Sequence, residues 1–487
     1  MLIESFSGIR GLYNSELTPE IAQKYAHSYY TEFLSKNSNQ IPKIAIGRDS
    51  RESGDEILQA MLKSLNCEIL DLGVSPTPII ENAVRTFQCD GGIIITASHN
   101  EPEYNGFKFL GKDGGVLNPQ EIEKVIEKFK TLHLPTDPYQ NPSPPQSQNP
   151  PSHQNPSSKN PPSHTNNLNT NTTNQTIENY HDSALGSYIG FVRDILGETT
   201  SLEGIKVLID PNGGAGILAQ KVFEEFNVQA EYINTNKGEF NRLVEPNLNS
   251  LSYLKEKLNN TEFAAGFDCD ADRVEILLNN GELVAGNEIL AIIADDILTN
   301  SNNQFLIAND ATSYLVKEIS EKHNCNYIEV EVGETNVVNK MHEHKSIIGG
   351  EGSNGGIIIQ NSKCRDGILG TLYLIKILLN KNKTLKELIN DLPKYHYLKE
   401  KITLNNNQGP LKIREQLKTH YKKQDFTIKE TGDQTGGLKF LKDNSWIWFR
   451  QSKTENNVLR IITDSKSKPT AEELMEEAKS LLISELK

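Results

Sequence analysis

The chain has 487 residues, 36% of them hydrophobic, and a formal charge of −14. That length exceeds one ordinary core and predicts about three or four domains, while the acidic balance argues against a general nucleic-acid binder, which needs a basic footprint. An anionic small substrate stays allowed, because local field and net charge are separate matters.

The opening stretch, MLIESFSGIRGLYN, has no basic start followed by an apolar core, so no secretory signal is read there. Thr18-Pro19-Glu20-Ile21 reads as an N-cap, a proline at the first helical position and a helix start, with the helix expected over 18–35. Further helices are expected at 54–64, 120–129, 217–226 and 288–299, and short apolar strands at 43–47, 68–72, 92–96, 206–210, 264–268, 304–308 and 346–349. Strand–loop–helix alternation predicts parallel α/β units over 1–133, 180–284 and 285–395. The last block, 396–487, reads as α+β, from strands near 446–449 and 458–463 with flanking helices. Between the first two units lies 134–179, where residues 135–175 are built from Pro, Asn, Ser, Gln, Thr and His. Only Tyr139 and Leu168 there can join a core, so a disordered linker or loop is expected. The five cysteines are scattered and form no C-x-x-C pair, against a disulfide framework or a thiolate zinc site. No apolar run reaches membrane-span length. The expectation is a cytoplasmic, soluble protein with no membrane or nucleic-acid partner, and nothing in the chain fixes an oligomeric state.

Four stretches carry chemistry. The first is GIIITASHNEPEYNGFK at 92–108. An apolar run stops at a Thr-Ala-Ser-His-Asn turn, the pattern of a buried strand delivering Ser98 to a sheet end, where open α/β sheets place their sites. The second is GFDCDADR at 266–273, with Asp268, Asp270 and Asp272 at alternate positions. Three carboxylates so close repel one another, and a hard cation such as Mg²⁺ relieves that with oxygen ligands; the plain alternative is a solvated acidic turn. A calcium EF-hand loop would need Gly and Glu where Arg273 and Asn279 stand. The third is GGEGSNGG at 349–356, whose glycines admit close approach while Glu351, Ser353 and Asn354 suit sugar hydroxyls; a structural glycine turn is the rival. The fourth is RQSKTENNVLR at 450–460, where Arg450, Ser452, Thr454 and Arg460 suit a phosphate dianion, or form an ordinary polar turn.

In this order the four stretches resemble the alpha-D-phosphohexomutase superfamily, over nearly all of the chain outside the low-complexity stretch. SGIRG at 7–11, GRDSRESG at 47–54, LGVSPTP at 72–78 and CRDG at 364–367 agree with it. The resemblance implies four domains around a central cleft: three related α/β units and a C-terminal α+β domain. It also implies interconversion of hexose 1- and 6-phosphates through a phosphoserine at Ser98 and a hexose 1,6-bisphosphate intermediate, with the substrate of the phosphoglucosamine, phosphomannose or phosphoglucose type. By similarity, Mg²⁺ is held by Asp268, Asp270, Asp272 and the Ser98 phosphoryl oxygen. Arg10 and Arg273 steady the charge, Lys108 is the acid/base with a pKa expected to be lowered, and His99 stands next to the carrier, as a participant or a turn stabiliser. Glu351, Ser353, Asn354 and the GETN loop at Gly333 face the sugar; Arg450, Ser452, Thr454 and Arg460 hold the phosphate that is not reacting.

This chain departs from the family pattern at Glu101 and Asn456, where Pro is usual, and at Cys269, Ala271 and Lys453, where Gly is common. The glycine-rich loop is also one residue longer. Three other readings compete. A serine hydrolase would need G-x-S-x-G, which Thr96-Ala97-Ser98-His99-Asn100 lacks. A Mg²⁺-dependent sugar phosphatase would share metal and phosphoenzyme but admit water. A non-catalytic sugar-phosphate binding protein would need neither.

Overall fold

The computed structural model describes residues 2–5, 8–38, 40–132, 175–258, 260–404, 410–452 and 457–484. Of the 134–179 segment read as a disordered linker or loop, residues 134–174 lie outside them; its end departs from that reading, since Gln175 donates its amide to the carbonyls of Leu62 and Leu65 at 3.0 Å and Thr176–Asn179 is a strand. Among the described residues no helix is long and apolar enough to cross a membrane.

The first helix starts as its sequence dictates. The Thr18 side chain accepts from Ile21 N, and Pro19 takes the first helical position, where its missing N–H costs nothing. The α-helix Pro19–Tyr29 then gives way to a π-helical turn, Tyr30–Leu34. The α-helix Pro119–Thr131 is closed by a full capping box between Asn118 and Glu121.

Three sheets share a plan. In the first, Lys43–Arg48 pairs in parallel with Glu68–Val74 and Gly91–Ile95, and the chain then turns back as Tyr104–Gly111, antiparallel to Gly91–Ile95. In the second, Phe263–Phe267 is parallel to Lys206–Asp210 and is followed by antiparallel Val274–Leu278. In the third, Ile348–Glu351 is parallel to Phe305–Asn309 and is followed by antiparallel Gly356–Ile359. The connections inside these three hairpins hold Ser98, the three aspartates and the glycine-rich loop respectively. Equivalent places in three units therefore carry three of the four sequence signals. The fourth sheet is antiparallel throughout, in the order His396–Thr403, Val458–Ser465, Ser445–Gln451, Leu438–Lys442, Thr427–Glu430.

The first sheet also takes a strand, Thr176–Asn179, from beyond the low-complexity stretch, parallel to Glu68–Val74. The helix that follows, His181–Leu196, buries Tyr188 and Val192 in the same cluster as Ile80 and Val84 of the helix Thr77–Thr86. That cluster runs on through Val207, Ile276, Leu306 and Ile357, so one apolar interior joins the three α/β units.

The fourth unit has its own core around Tyr421, Phe440 and Phe449. It meets the third through an apolar cluster of Ala311, Trp446, Trp448 and Ile462 and through buried polar pairs. Trp448 Nε1 donates to Asp310 Oδ2 at 2.8 Å, Lys439 Nζ pairs with Glu329 at 2.6 Å, and Asp464 accepts from Ser313 Oγ and Tyr314 N at 2.8 Å each. Replacing Trp448 by Phe strips a donor from a buried carboxylate, which costs about 1–3 kcal/mol. The expected result is a lower urea midpoint for Trp448→Phe.

Candidate active site

Strand Gly91–Ile95 is buried along its whole length and ends in a turn where Ser98 adopts φ +51°. A non-glycine residue in that left-handed region is costly by about 1–2 kcal/mol, so its surroundings must hold it. They do. Ser98 N–H donates to Thr96 Oγ1 at 2.8 Å, and Thr96 Oγ1 donates to Asp49 Oδ2 at 2.6 Å. Arg51 pairs with Asp49 and donates to the carbonyls of Ser98, at 3.0 Å, and Asn100. Asp49 and Arg51, both buried, come from the GRDSRESG stretch, which the sequence quoted only as part of a resemblance. Ser98 Oγ is thereby aimed at the second unit and donates to Asp268 Oδ2 at 3.0 Å.

Asp268, Asp270 and Asp272 are buried, and each offers an oxygen within 4.8 Å of the others. The solvated-turn alternative is excluded by that burial. Thr77, from the LGVSPTP stretch, clamps the loop: its N–H donates to the Asp270 carbonyl at 3.0 Å and its hydroxyl to Asp270 Oδ2 at 2.7 Å. Burial, then Asp272 and Asp270, hold the Asp268 carboxyl well above the usual range. Asp272 goes the other way: burial works against its charge, but Arg365, Lys108 and Arg273 outweigh it. Asp270 Oδ1 and Asp272 Oδ1 are buried with no hydrogen-bond partner. Orphaned carboxylate oxygens beside a serine hydroxyl form an all-oxygen donor set, which fits a hard divalent cation.

Both departures within this loop have local readings. Cys269 is buried with Sγ 3.9 Å from Ser50 Oγ. Ala271 sits at φ +53°, which accounts for the usual glycine there. Glu101 links the serine turn to the second unit, its Oε1 accepting from Val244 N at 3.3 Å.

Lys108 corrects an expectation. Its Nζ lies 3.4 Å from Asp270, 3.5 Å from Asp272 and 3.9 Å from Glu334. Burial disfavours the ammonium, but Asp270, Glu334 and Asp272 together raise its pKa above the ordinary lysine value rather than lowering it. His99 behaves oppositely: burial, then Arg273, Arg10 and Arg365, push it well below the usual histidine value, so the ring is neutral near pH 7. Its Nδ1 makes no hydrogen bond, which removes the support for a turn-stabilising role through that atom. Arg10 Nη1 donates to Asn100 Oδ1 at 3.3 Å. Arg273 Nε lies 3.7 Å from Asp272 and 3.9 Å from Asp268.

The third unit enters through Arg365, which sequence reasoning left inside the CRDG run without a role. This buried arginine pairs with Asp272 at 2.6 Å, Glu351 at 2.8 Å and Glu334 at 3.2 Å. It ties the aspartate loop to both loops read as sugar-facing. Glu351 is fully engaged. Its Oε1 accepts from Asn309 Nδ2 (3.0 Å) and Gly333 N (2.8 Å), and its Oε2 from Arg365 and Asn354 Nδ2 (3.4 Å). Ser353 Oγ accepts from Asn309 Nδ2 at 3.1 Å, and Asn354 Oδ1 is buried without a partner. In the fourth unit Arg450 and Arg460 face each other across neighbouring strands. Arg450 Nη2 donates to Glu331 Oε1 at 2.9 Å and Arg460 Nη2 to Ser452 Oγ at 3.4 Å. Thr454, Lys453 and Asn456 lie outside the described residues. Lys399, also from this unit, donates to the Ser353 carbonyl at 3.2 Å.

Comparison with known proteins places the chain in a family. The family model "Phosphoglucomutase/phosphomannomutase, alpha/beta/alpha domain I" matches residues 3–135, and the model for domain III matches 285–395. A phosphoglucomutase/phosphomannomutase of Thermococcus kodakarensis is 30% identical, over 99% of this chain and 98% of its own. A phosphoglucosamine/phosphogalactosamine mutase of Sulfurisphaera tokodaii is 27% identical, over 98% of each. The solved open form of a Paramecium exocytosis-sensitive phosphoprotein, parafusin, a phosphoglucomutase, superposes with a TM-score of 0.78 at 20% identity, over 99% of this chain and 94% of that one.

Proposed function

Because this chain belongs to the alpha-D-phosphohexomutase superfamily, we propose that it interconverts hexose 1- and 6-phosphates through a phosphoserine at Ser98 and a 1,6-bisphosphorylated intermediate. The observation that carries the reading is the convergence of Ser98 Oγ on Asp268 at 3.0 Å, within the buried oxygen cluster of Asp268, Asp270 and Asp272. Phosphoryl transfer needs little covalent chemistry from a protein; positioning and charge neutralisation do most of the work.

In the proposed cycle Ser98 starts phosphorylated. A sugar hydroxyl attacks the phosphorus, and the bond from phosphorus to Ser98 Oγ breaks. Lys108, held charged by its carboxylates, gives a proton to the departing serine oxygen and recovers one from the attacking hydroxyl, so the net movement is from sugar to serine. The bisphosphate turns round, its other phosphate returns to Ser98, and the isomeric monophosphate leaves. Asp268, Asp270 and Asp272 would hold Mg²⁺, whose Lewis acidity polarises the transferring group. Arg10 and Arg273 stand beside that charge. Arg450, Ser452 and Arg460, with Thr454, would grip the distal phosphate, which places binding energy away from the reacting bond. Asn354 Oδ1, Ser353 and the loop at Gly333 would meet the sugar; Glu351 would do so by exchanging one of its present donors.

No observation favours the phosphatase or the binding-protein reading. A coupled assay with glucose, mannose and glucosamine 1-phosphates, each with a catalytic trace of the matching bisphosphate, tests the proposal. The expected product is the 6-phosphate without inorganic phosphate. Chelation should remove the activity and Mg²⁺ restore it. Release of inorganic phosphate alone would mark a phosphatase, and no turnover of any hexose phosphate would end the mutase reading.

A further inference from the structure

Glu275 belongs to none of the four sequence signals, yet it stands among them. It is the second residue of strand Val274–Leu278, just beyond the aspartate loop. A Cβ at Gly355 would lie 3.0 Å from Glu275 Oε1 and 2.4 Å from the Val274 carbonyl, and Gly355 itself has φ +68°. The carboxylate therefore touches the backbone of the sugar-facing loop with no side chain between. The other acids here are engaged: Glu351 by four donors, Glu334 by Arg365 and Lys108, Glu331 by Arg450. Among the described residues nothing donates a hydrogen bond to Glu275.

Its charge is also under-compensated. Glu275 is half-buried, and that partial burial lifts its pKa to about 8; Lys399 and Arg273 pull it down and Glu245 pushes it up. The two nearby cations have other anions to serve. Arg273 faces Asp268 and Asp272. Lys399 is solvent-reached, donates to the Ser353 carbonyl and neighbours Arg460 of the phosphate loop. A bound sugar phosphate would draw both further away. A hydroxyl offered to Glu275 would supply a hydrogen bond without a charge, whereas an ammonium supplies both.

We propose that Glu275 is a specificity residue that receives the ammonium group of a 2-amino-2-deoxyhexose phosphate. The inference rests on the mutase reading above and narrows its substrate to an amino sugar with a free amine.

The test is steady-state kinetics of wild type and Glu275→Gln with glucosamine 1-phosphate, glucose 1-phosphate and N-acetylglucosamine 1-phosphate, whose amide is uncharged. The expected result is a rise in KM for glucosamine 1-phosphate of about tenfold or more. The other two substrates should stay within about twofold, because a hydroxyl or amide loses no charge pair. An equal change for all three, or no change for the amino sugar, overturns the proposal. A second measurement needs no variant: calorimetric binding of the three corresponding 6-phosphates to wild type. Preference for the cationic ligand supports the proposal, and equal affinity overturns it. If wild type binds the amino sugar selectively, Glu275→Gln loses that selectivity and neither turns over any of the three, the mutase reading fails while Glu275 stands as the partner of the amine.

Discussion

Ser98→Ala is expected to lower kcat by at least about 10³-fold while leaving sugar-phosphate affinity largely intact. The substitution removes the atom proposed to carry the phosphoryl group, and it changes little else. Alanine has a Cβ like serine, so the left-handed backbone at φ +51° is no more strained than before. Thr96, Asp49 and Arg51 hold the turn through its backbone and through each other, without the Ser98 hydroxyl. The one lost contact, from Ser98 Oγ to Asp268, costs about 1 kcal/mol. The distal phosphate would still find Arg450 and Arg460. Three measurements check this: the coupled assay, calorimetric binding of substrate, and the intact mass after incubation with bisphosphate, in which wild type should gain one phosphoryl group and the variant none. Normal turnover by the variant would refute the carrier assignment.

Asp268→Asn should move activity and stability in opposite directions. Activity should fall by at least about 10²-fold, because the proposed cation ligand and the serine's partner are altered together. The metal-free protein, however, should become more stable at neutral pH. The sign follows from linkage. The folded-state pKa of Asp268 is raised, first by burial and then by Asp272 and Asp270. Between the ordinary carboxylate range and that raised value, the unfolded chain has released a proton that the folded chain retains. Folding stability contributed by this group therefore falls as pH rises through that window. Asparagine has no proton to lose and no charge to bury. In the absence of divalent cations the variant's thermal midpoint should exceed wild type by a few degrees near pH 7, and the gap should close as pH falls toward the ordinary carboxylate range. Mg²⁺ should raise the wild-type midpoint more than the variant's. A variant less stable than wild type at every pH would contradict this account of the loop.

What the sequence discloses about this site follows the range of the interactions. Ser98 and the three aspartates were legible because each signal is local: an apolar strand, a sharp turn, and the chemistry packed into a few residues after it. The roles of Arg365, Asp49, Arg51 and Thr77 were not, since each acts on a partner in another segment. Arg365 meets Asp272 across 93 positions and Thr77 meets Asp270 across 193. Lys108 shows the same limit in its sign. Its motif named the residue, but the carboxylates that keep it charged come from the second and third units. The parallel core strands were anticipated within one or two residues. The strands at the two edges of the first sheet, Ile3–Ser5 and Thr176–Asn179, and the interior strand Gly8–Leu12 were not, because short segments lack the apolar run that marks a buried strand.

The contribution of Thr176–Asn179 and His181–Leu196 to the first sheet has a consequence for how the protein is made. A nascent chain that has emerged only as far as residue 132 leaves strand Glu68–Val74 with an open edge, because its parallel neighbour has not yet been translated. Ile80 and Val84 likewise lack the cover of Tyr188 and Val192. Bare edges and uncovered apolar helices invite pairing between chains. The ribosome must therefore deliver the whole low-complexity stretch before the first unit can close, and a truncation anywhere before Leu196 would yield a sticky fragment rather than a smaller enzyme.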